Sequence, residues 1–370
     1  MDFELNEEQK MLASTAADFA AKESPIERFR GLRDDAVGWS PDLWQSMGEL
    51  GLLAVPFDES DGGFGGGFVE LSSLCEAFGT TLVPEPYAAS IITAGLILAE
   101  EASSELRQRV LPDLISGQSS LGFAHTERGN RFSSSQVATT AQQSGDAWSL
   151  HGEKVFVENG HHAQGLLVTA RTDQGVGLFY VAGDSEGLTR QPIAMMDGRR
   201  GAHIKLESVS VPADSCLGAN AQTAIDRALD YGAIATVAEG VGVCQAMLDM
   251  TVDYLKTREQ FGVKIGSFQA LQHRAVEMYV ETELLRSMSM KAMGLATVDS
   301  DEQRQLAVSQ AKVQLCRAGA FVARQAVQLH GGVGVTDEHD IGLFFKRMHA
   351  LFTVFGDEAY HLERMATLTS

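Results

Sequence analysis

The chain has 370 residues, which is enough for two or three compact domains with a sizeable core. Hydrophobic residues make up 44% and charged residues 21%, proportions that exclude a disordered or fibrous chain. A formal net charge of −20 argues against nucleic acid or an anionic membrane as a partner, whereas a phosphorylated small molecule needs only a few local cations.

No segment of the sequence predicts membrane insertion. The longest apolar run, residues 88–99, has about 12 residues, whereas crossing a bilayer takes roughly 20. The N-terminal residues are acidic rather than basic, so no export signal is predicted and a cytoplasmic protein is expected. The cysteines are widely spaced, which favours reduced structural thiols over disulfides or a metal site, and no metal is predicted. They are Cys75, Cys216, Cys244 and Cys316.

Helical periodicity extends from the N-terminus to about residue 118. Ser40 and Pro41 have the order of an N-cap and a first helical residue, and Gly51 is placed to end that helix. Further helices are predicted near residues 68–79, 86–101 and 103–116. The glycine-dense loop over residues 58–67 is most simply a connector between helices.

Between residues 119 and 218 the pattern changes to short β-rich runs separated by Gly, Asp, Ser and Asn. Since no helical pattern intervenes, we predict an antiparallel barrel or sandwich rather than a parallel dinucleotide-binding sheet. The predicted strands are 148–150, 154–157, 166–170, 177–181 and 203–206.

After residue 218 the helical period returns in four long stretches. They lie near residues 220–257, 267–297, 301–330 and 337–368. The predicted fold class is therefore α+β, with an N-terminal helical domain over residues 1–118, a central antiparallel β-barrel or sandwich over 119–218 and a C-terminal four-helix bundle over 219–370.

Arg258 opens the sequence Arg-Glu-Gln-Phe-Gly in the turn between the first two helices of this bundle, and Phe268 and Gln269 follow. A planar guanidinium can bind a pyrophosphate through two parallel hydrogen bonds, and glycine lets a ligand approach the backbone closely. A surface turn with Phe261 as a core residue is the alternative.

Two further motifs are candidates for ligand contacts. Gln328 precedes the consecutive glycines Gly331 and Gly332, whose N–H groups can bind an anion or can simply cap the helix C-terminus. Thr126 lies at the entry to the β-domain. Phe156 lies in the later β-rich run 154–157, and its ring can stack on a planar ligand ring.

Together these features resemble the acyl-CoA dehydrogenase flavoprotein family across essentially the whole chain. The resemblance rests on the α–β–α order, the Arg-Glu-Gln-Phe-Gly…Phe-Gln motif that begins at Arg258, the Gln-x-x-Gly-Gly-x-Gly turn that begins at Gln328, and a loop that carries Pro56, Gly62, Gly63 and Gly65. It implies a tetramer that binds FAD between the β-domain and the helical bundle of one subunit, with a neighbouring subunit completing the site. It also implies an acyl-CoA substrate and an electron-transfer flavoprotein as acceptor.

The resemblance assigns individual residues to the FAD. Thr126 matches the residue that hydrogen-bonds the isoalloxazine edge, and Phe156 matches an aromatic residue beside that ring. The residues that match the family's contacts to the pyrophosphate and adenine end, several of them across the subunit interface, are Arg258, Phe261, Gln269, Gln328, Gly331 and Gly332.

The family removes the acyl α-proton with a carboxylate while a hydride passes to the flavin, which yields a trans-2-enoyl-CoA. Counted from Arg347, the position of that carboxylate is Gly356 in this chain, and the family's second location for it aligns with Gly232. The nearby carboxylates are Asp357 and Glu239, the latter in an otherwise apolar helix. Glu239 is interpreted as the base or a substrate-polarising group, as a buried carboxylate paired with a cation, or as a surface residue.

Glu158 is a second departure, because many family members carry a threonine there that hydrogen-bonds the flavin. An anion at this position opposes electron transfer into the ring unless it is protonated or turned away. Arg128 and Asn130 also replace parts of the usual loop after Glu127. These departures resemble a branch of short acyl-CoA dehydrogenases that act in heterotetramers on CoA esters of steroid side chains and other bulky acids, where one subunit supplies the base.

The leading hypothesis is an FAD-dependent acyl-CoA dehydrogenase, either a homotetramer or one subunit of a heterotetramer with a second dehydrogenase chain. The alternatives are a non-catalytic partner subunit of such an enzyme, and a flavin oxidase or monooxygenase on the same fold.

Overall fold

A computed structural model describes residues 5–298 and 300–369. The chain divides into two compact units. The first comprises Met1–Arg30, Phe68–Val83 and Ala233–Ser370, and the second comprises Gly31–Gly67 and Pro84–Gly232.

Local sequence explains where the N-terminal helices begin and end. Asn6 and Gln9 form a capping box at the start of the first helix. The Ser40 side chain caps the third helix, and Gly51 follows that helix with a φ of 75°, so both predicted ends are confirmed. A π-helical stretch, Ala88–Gly95, leads directly into the fifth helix. The helices are α1 (Glu7–Glu23), α2 (Ile26–Leu32), α3 (Pro41–Glu49), α4 (Phe68–Gly79), α5 (Leu96–Glu101) and α6 (Ser104–Ile115).

The central strands form one mixed sheet in the second unit. They are β1 (Leu121–Ala124), β2 (Thr140–Ser144), β3 (Ala147–Glu158), β4 (Gly165–Arg171), β5 (Val176–Ala182), β6 (Leu188–Ala194), β7 (Arg200–Pro212) and β8 (Cys216–Gly218). Their order is β6-β7-β3-β2-β4-β5-β8, and β1 pairs with β4. Trp148 and Phe179 contact each other in the apolar core of this sheet, with ring centroids 5.2 Å apart.

Two features of the sheet differ from the prediction. The β1–β4 and β2–β4 pairings are parallel. The chain reverses direction from β2 into the antiparallel strand β3 and reverses again into β4, so β2 and β4 run the same way. The strand order is also open: within the described residues β6 and β8 end the sheet and do not pair with each other. The predicted barrel is therefore not confirmed, whereas the mixed helical and sheet architecture is.

The C-terminal region contains three long helices and two short ones among the described residues, rather than the four long helices predicted. The predicted helix over 337–368 breaks after Leu351, where Gly356 has a φ of 112° and Asp357 caps a new helix. In the first unit α9 packs against α8, α10 and α11. These helices are α7 (Gln222–Thr257), α8 (Gln269–Gly294), α9 (Asp301–His330), α10 (Ile341–Leu351) and α11 (Glu358–Leu368).

Within the described residues, α7 is the one helix long and apolar enough to be a candidate membrane span. Its most apolar 18-residue window is 78% buried, as in the core helix of a folded protein. By length and composition alone this is weak evidence for a span.

Candidate functional site

Phe156 is presented by a β-bulge near the end of β3. The register between β3 and β7 shifts between Lys154 and Val157, so Val155 and Phe156 both lie opposite His203. Phe156 has a φ of 55°, which bulky side chains rarely adopt, and its N–H donates to His203 Nδ1 at 3.3 Å. Its ring is 65% exposed and meets His203 edge-on. A strained and exposed aromatic residue is typical of a ligand contact.

Thr126 is held beside this bulge by the backbone. The Val155 N–H donates to the Thr126 carbonyl oxygen at 2.8 Å. The Thr126 side chain is exposed, and within the described residues it makes no hydrogen bond. One backbone hydrogen bond therefore brings together the two regions that the sequence assigns to the flavin ring.

Glu158, the unexpected anion near the end of β3, has a cationic partner. Arg199 NH1 lies 3.2 Å from its Oε1, and the Arg199 side chain is only 8% exposed. The guanidinium neutralises the carboxylate and fixes its direction. The sequence allowed an anion here if it were protonated or turned away, and the structure supplies a salt bridge instead.

The turn after α7 is a two-residue hairpin whose central residues both have positive φ values. Its strands, β9 (Glu259–Gln260) and β10 (Val263–Lys264), are joined by Phe261 and Gly262, which have φ values of 55° and 76°. Phe261 is 91% exposed, so it is not the core residue of the alternative prediction. Arg258 and Gln269 flank this hairpin with exposed side chains that have no hydrogen-bond partner in the described part of the chain.

The glycine turn after α9 lies at the same end of the first unit as this hairpin. His330, the last residue of α9, contacts the Tyr254 ring of α7, with centroids 4.6 Å apart. Gly331, with a φ of 62°, and Gly332 face open space, since a Cβ built on either would meet no atom within 4 Å. Gln328 on the last turn of α9 is exposed.

These features fit the pyrophosphate end of FAD. The exposed Arg258 guanidinium offers the forked donors that bind phosphate oxygens, and the open glycine backbone lets an anion approach N–H groups closely. The structure therefore brings Arg258 and the Gly331–Gly332 turn to one end of the helices, as the assignment of both to one ligand requires.

Glu239 on α7 forms a buried ion pair with Arg347 on α10. Arg347 Nε donates to Oε1 at 2.7 Å and NH2 donates to Oε2 at 2.6 Å, and the two side chains are 8% and 6% exposed. Both carboxylate oxygens are thus engaged by one guanidinium. Of the three interpretations of Glu239, the one that agrees with this geometry is a buried carboxylate paired with a cation.

The position of the family's usual base is filled by neighbouring side chains. A Cβ built on Gly356 would lie 2.5 Å from Tyr360 Cδ1 and 2.6 Å from His361 Nε2. The His361 ring is fixed by Ser309 Oγ at 3.2 Å and the Phe355 carbonyl oxygen at 3.1 Å. The Asp357 carboxylate accepts the Tyr360 N–H at 2.9 Å as the N-cap of α11.

Acidification is expected to destabilise the chain through His361. Burial, followed by the charges of Lys312 and Arg364, lowers the pKa of His361 from 6.5 to about 3, although the hydrogen bond with the Phe355 backbone and the charge of Asp357 oppose this shift. The folded chain therefore keeps the ring neutral where the unfolded chain protonates it. This contribution to the free energy of unfolding is complete above pH 6.5 and is lost as the pH falls from 6.5 towards 3. Urea denaturation midpoints across that range measure it.

The control for this pH dependence is His361→Gln, which cannot titrate. We expect it to flatten part of the acid slope, while the other groups with lowered pKa values retain the rest, among them His125, whose pKa burial lowers to about 4. An acid slope of the same size in wild type and His361→Gln would contradict the assignment.

From the sequence we did not identify the buried cations that pair with Glu239 and Glu158, which are Arg347 and Arg199. Arg347 served only as a landmark, yet it lies in the apolar helix α10 just as Glu239 lies in the apolar helix α7. A buried charge on each of two apolar helices is a signal that they pair. Arg199 precedes β7 in a polar turn and gave no such signal.

Family models of three acyl-CoA dehydrogenase domains match the chain in order. The N-terminal domain matches residues 6–118, the middle domain matches 122–209 and the C-terminal domain matches 222–368.

Curated and solved proteins agree with these matches. The "Probable acyl-CoA dehydrogenase YngJ" of Bacillus subtilis is 32% identical over 354 residues, 92% of each chain. A variant of the Tcur3481–Tcur3483 steroid ACAD has a TM-score of 0.91 at 30% identity and 98% coverage of both chains. A chain of the ChsE4–ChsE5 complex of Mycobacterium tuberculosis has a TM-score of 0.91 at 28% identity, covering 99% of this chain and 98% of that one. The family, the oxidoreductase class and the FAD cofactor predicted from the sequence are thereby confirmed, and the chain belongs to the acyl-CoA dehydrogenase family.

Proposed function

We propose that this chain is an FAD-dependent acyl-CoA dehydrogenase subunit that works beside a second dehydrogenase chain, which supplies the catalytic base. The observation that carries the proposal is the filled position at Gly356, where a carboxylate side chain would displace Tyr360 and His361. The two candidates in this chain, Glu239 and Asp357, are each engaged, in an ion pair and in a helix cap.

FAD, when bound, supplies the hydride acceptor. Arg258 and the Gly331–Gly332 turn bind the pyrophosphate of a neighbouring subunit's FAD, and Gln269, Gln328 and Phe261 contact that end of the same cofactor. In the second unit Thr126 hydrogen-bonds the ring edge and Phe156 shields the ring from water. The exposure of these side chains and the strain at both phenylalanines support the assignment.

The apolar face of α8 supports an oligomer. Val276, Val280 and Leu284 recur every four residues and Tyr279 lies three residues after Val276, so the four share one helix face, and they are 47–58% exposed. A continuous apolar face on a folded protein is typical of a protein interface. We infer that α8 joins subunits in a homotetramer or a heterotetramer, with Arg258 and Phe261 reaching a neighbour's FAD.

The substrate is proposed to be the CoA ester of a bulky acid, such as a steroid side chain, and the acceptor an electron-transfer flavoprotein. One similar solved structure is a steroid ACAD, and another is a complex of two different chains. The chain is further proposed to fold as three domains over 1–118, 119–218 and 219–370, since the three family models match in this order.

Two other functions make different predictions. A flavin oxidase or monooxygenase would react directly with oxygen once its flavin is reduced. A non-catalytic partner subunit would bind no acyl-CoA productively in any complex. Flavin reoxidation in air and flavin bleaching by a bulky acyl-CoA without oxygen distinguish both from the dehydrogenase.

FAD is expected to copurify with the chain, and Arg258→Ala is expected to weaken its binding by about 10- to 100-fold, because a hydrogen bond to a charged group contributes about 1.5–3 kcal/mol. Gly332→Glu should release FAD as well, since it places bulk and negative charge in open space without disturbing the apoprotein. Flavin fluorescence titration of the apoprotein measures both effects.

Lys256→Ala is the matched control, because Lys256 is an exposed cation in the last turn of α7, two residues before Arg258. It should bind FAD as the wild type does. Full flavin occupancy in Arg258→Ala and Gly332→Glu would count against the assigned site.

A further inference from the structure

A buried polar cluster in the second unit is centred on Lys154 of β3. The Lys154 side chain is fully buried, and its Nζ donates to Glu127 Oε1 at 2.6 Å and to Thr169 Oγ1 at 2.9 Å. The same Nζ lies 3.4 Å from the carbonyl oxygen of His125. The cofactor assignment uses none of these four residues.

Glu127 extends this cluster to a second stretch of backbone. Its Oε2 accepts the Ala138 N–H at 2.6 Å, and its Oε1 accepts the Thr139 N–H at 3.0 Å. One carboxylate therefore joins the Lys154 ammonium to the segment that leads into β2.

The contacts of Lys154 bracket Thr126 on both sides. The ammonium binds the carbonyl of the preceding residue, His125, and the carboxylate of the following residue, Glu127. The N–H of Val155, the residue after Lys154, holds the carbonyl of Thr126 itself. The bulge that presents Phe156 begins immediately after Lys154.

We propose that Lys154 is a positioning residue for the flavin site, which fixes Thr126 and Phe156 relative to each other through its ion pair with Glu127. The inference rests on the proposed function, since it concerns the FAD that these residues contact. Lys154 itself touches no reacting atom.

Stability alone is a weak reason for such a cluster. A buried ion pair can be replaced by apolar residues of similar volume with little or no loss of stability, because desolvation offsets the attraction. Burial lowers the pKa of Lys154 to about 8, which reflects this cost, although the Glu127 carboxylate opposes the shift. The Lys154–Glu127 ion pair, whose burial costs desolvation free energy, is instead explained by the positions in which it fixes Thr126 and Phe156.

The test compares Lys154→Met with the double variant Lys154→Met/Glu127→Gln in the full-length protein. Lys154→Met leaves Glu127 buried without its cation and is expected to unfold more easily, whereas the double variant removes both charges and should regain thermal stability. FAD affinity should fall by about 10-fold or more in both variants, because neither retains the ammonium contacts to His125 and Glu127 on the two sides of Thr126. The visible absorption band of the bound flavin should also change shape in both.

The double variant separates positioning from stability. Regained stability with weakened FAD binding and an altered flavin spectrum supports the proposal. Regained stability together with wild-type FAD affinity and spectrum overturns it, and so does a wild-type flavin site in Lys154→Met. If neither variant folds, Thr169→Val decides: weakening of FAD binding by about 3-fold or more supports the proposal, and unaltered binding overturns it.

Lys205→Met is the matched control for the loss of a lysine. Lys205 pairs with Glu207 at 2.8 Å, but both side chains are more than half exposed, so FAD binding and spectrum should be unchanged. Failure of the wild type to bind FAD would refute the proposed function itself. Binding by the wild type with unaffected variants would refute only the role of Lys154.

Discussion

Glu239→Gln is expected to lower the free energy of unfolding by about 3–5 kcal/mol, because it leaves the Arg347 guanidinium buried without its anion. Both oxygens of Glu239 accept from Arg347 at 2.6–2.7 Å, so the amide loses the charge and replaces one acceptor with a donor. Urea denaturation followed by circular dichroism measures the change.

The matched comparison is Glu358→Gln, which removes the same charge from an exposed pair. Glu358 and Arg317 are 40% and 59% exposed, so the expected cost is about 0–1 kcal/mol. The double variant Glu239→Gln/Arg347→Met should recover stability, since no buried charge remains. Unchanged stability in Glu239→Gln, with flavin bleaching slowed by about 100-fold or more, would instead identify Glu239 as the base.

Most helices could be predicted from the sequence because capping residues close to each helix determine where it begins and ends. The caps at Ser40 and Gly51 act within a few residues of the helix they bound, so no tertiary information is needed. The break before α11 was equally local, since Gly356 followed by Asp357 is a glycine and then an N-cap. Continuous apolar periodicity on both sides concealed it.

The strands were less predictable because their pairing is not local. β2 has the polar sequence Thr-Ala-Gln-Gln-Ser, and β6 is an edge strand that contains Pro192, so neither has the β-rich composition that marked β3, β4 and β5. The bulge at Phe156 depends on the register between β3 and β7. No pattern within β3 alone reveals it.

The residues of the candidate site also differ in how far the sequence alone could predict their roles. Arg258 and the Gly331–Gly332 turn could be predicted as phosphate contacts because their residue types are suited to a phosphate wherever they lie in the fold. The interpretation of Glu239 stayed open because its partner is 108 residues away in the sequence. Distant charge pairs require the tertiary structure, whereas donor chemistry does not.

Co-expression with a second acyl-CoA dehydrogenase chain is expected to raise the rate of flavin bleaching by a bulky acyl-CoA by about 10²–10⁴ over this chain alone, since that is what a general base contributes. Anaerobic stopped-flow absorbance measures the rate. The expectation follows from Gly356, where Tyr360 and His361 fill the place of a carboxylate side chain. Equal bleaching by the chain alone and by the complex would contradict it.

Asp357→Asn tests in that complex whether the base belongs to this chain after all. Asparagine caps a helix as well as aspartate does, so the hydrogen bond to the Tyr360 N–H and the start of α11 should persist while basicity is lost. If the partner chain supplies the base, the bleaching rate of the complex stays at the wild-type value. A fall in the rate of about 100-fold or more would identify Asp357 as the base, one residue after Gly356, which occupies the position of the family's usual carboxylate.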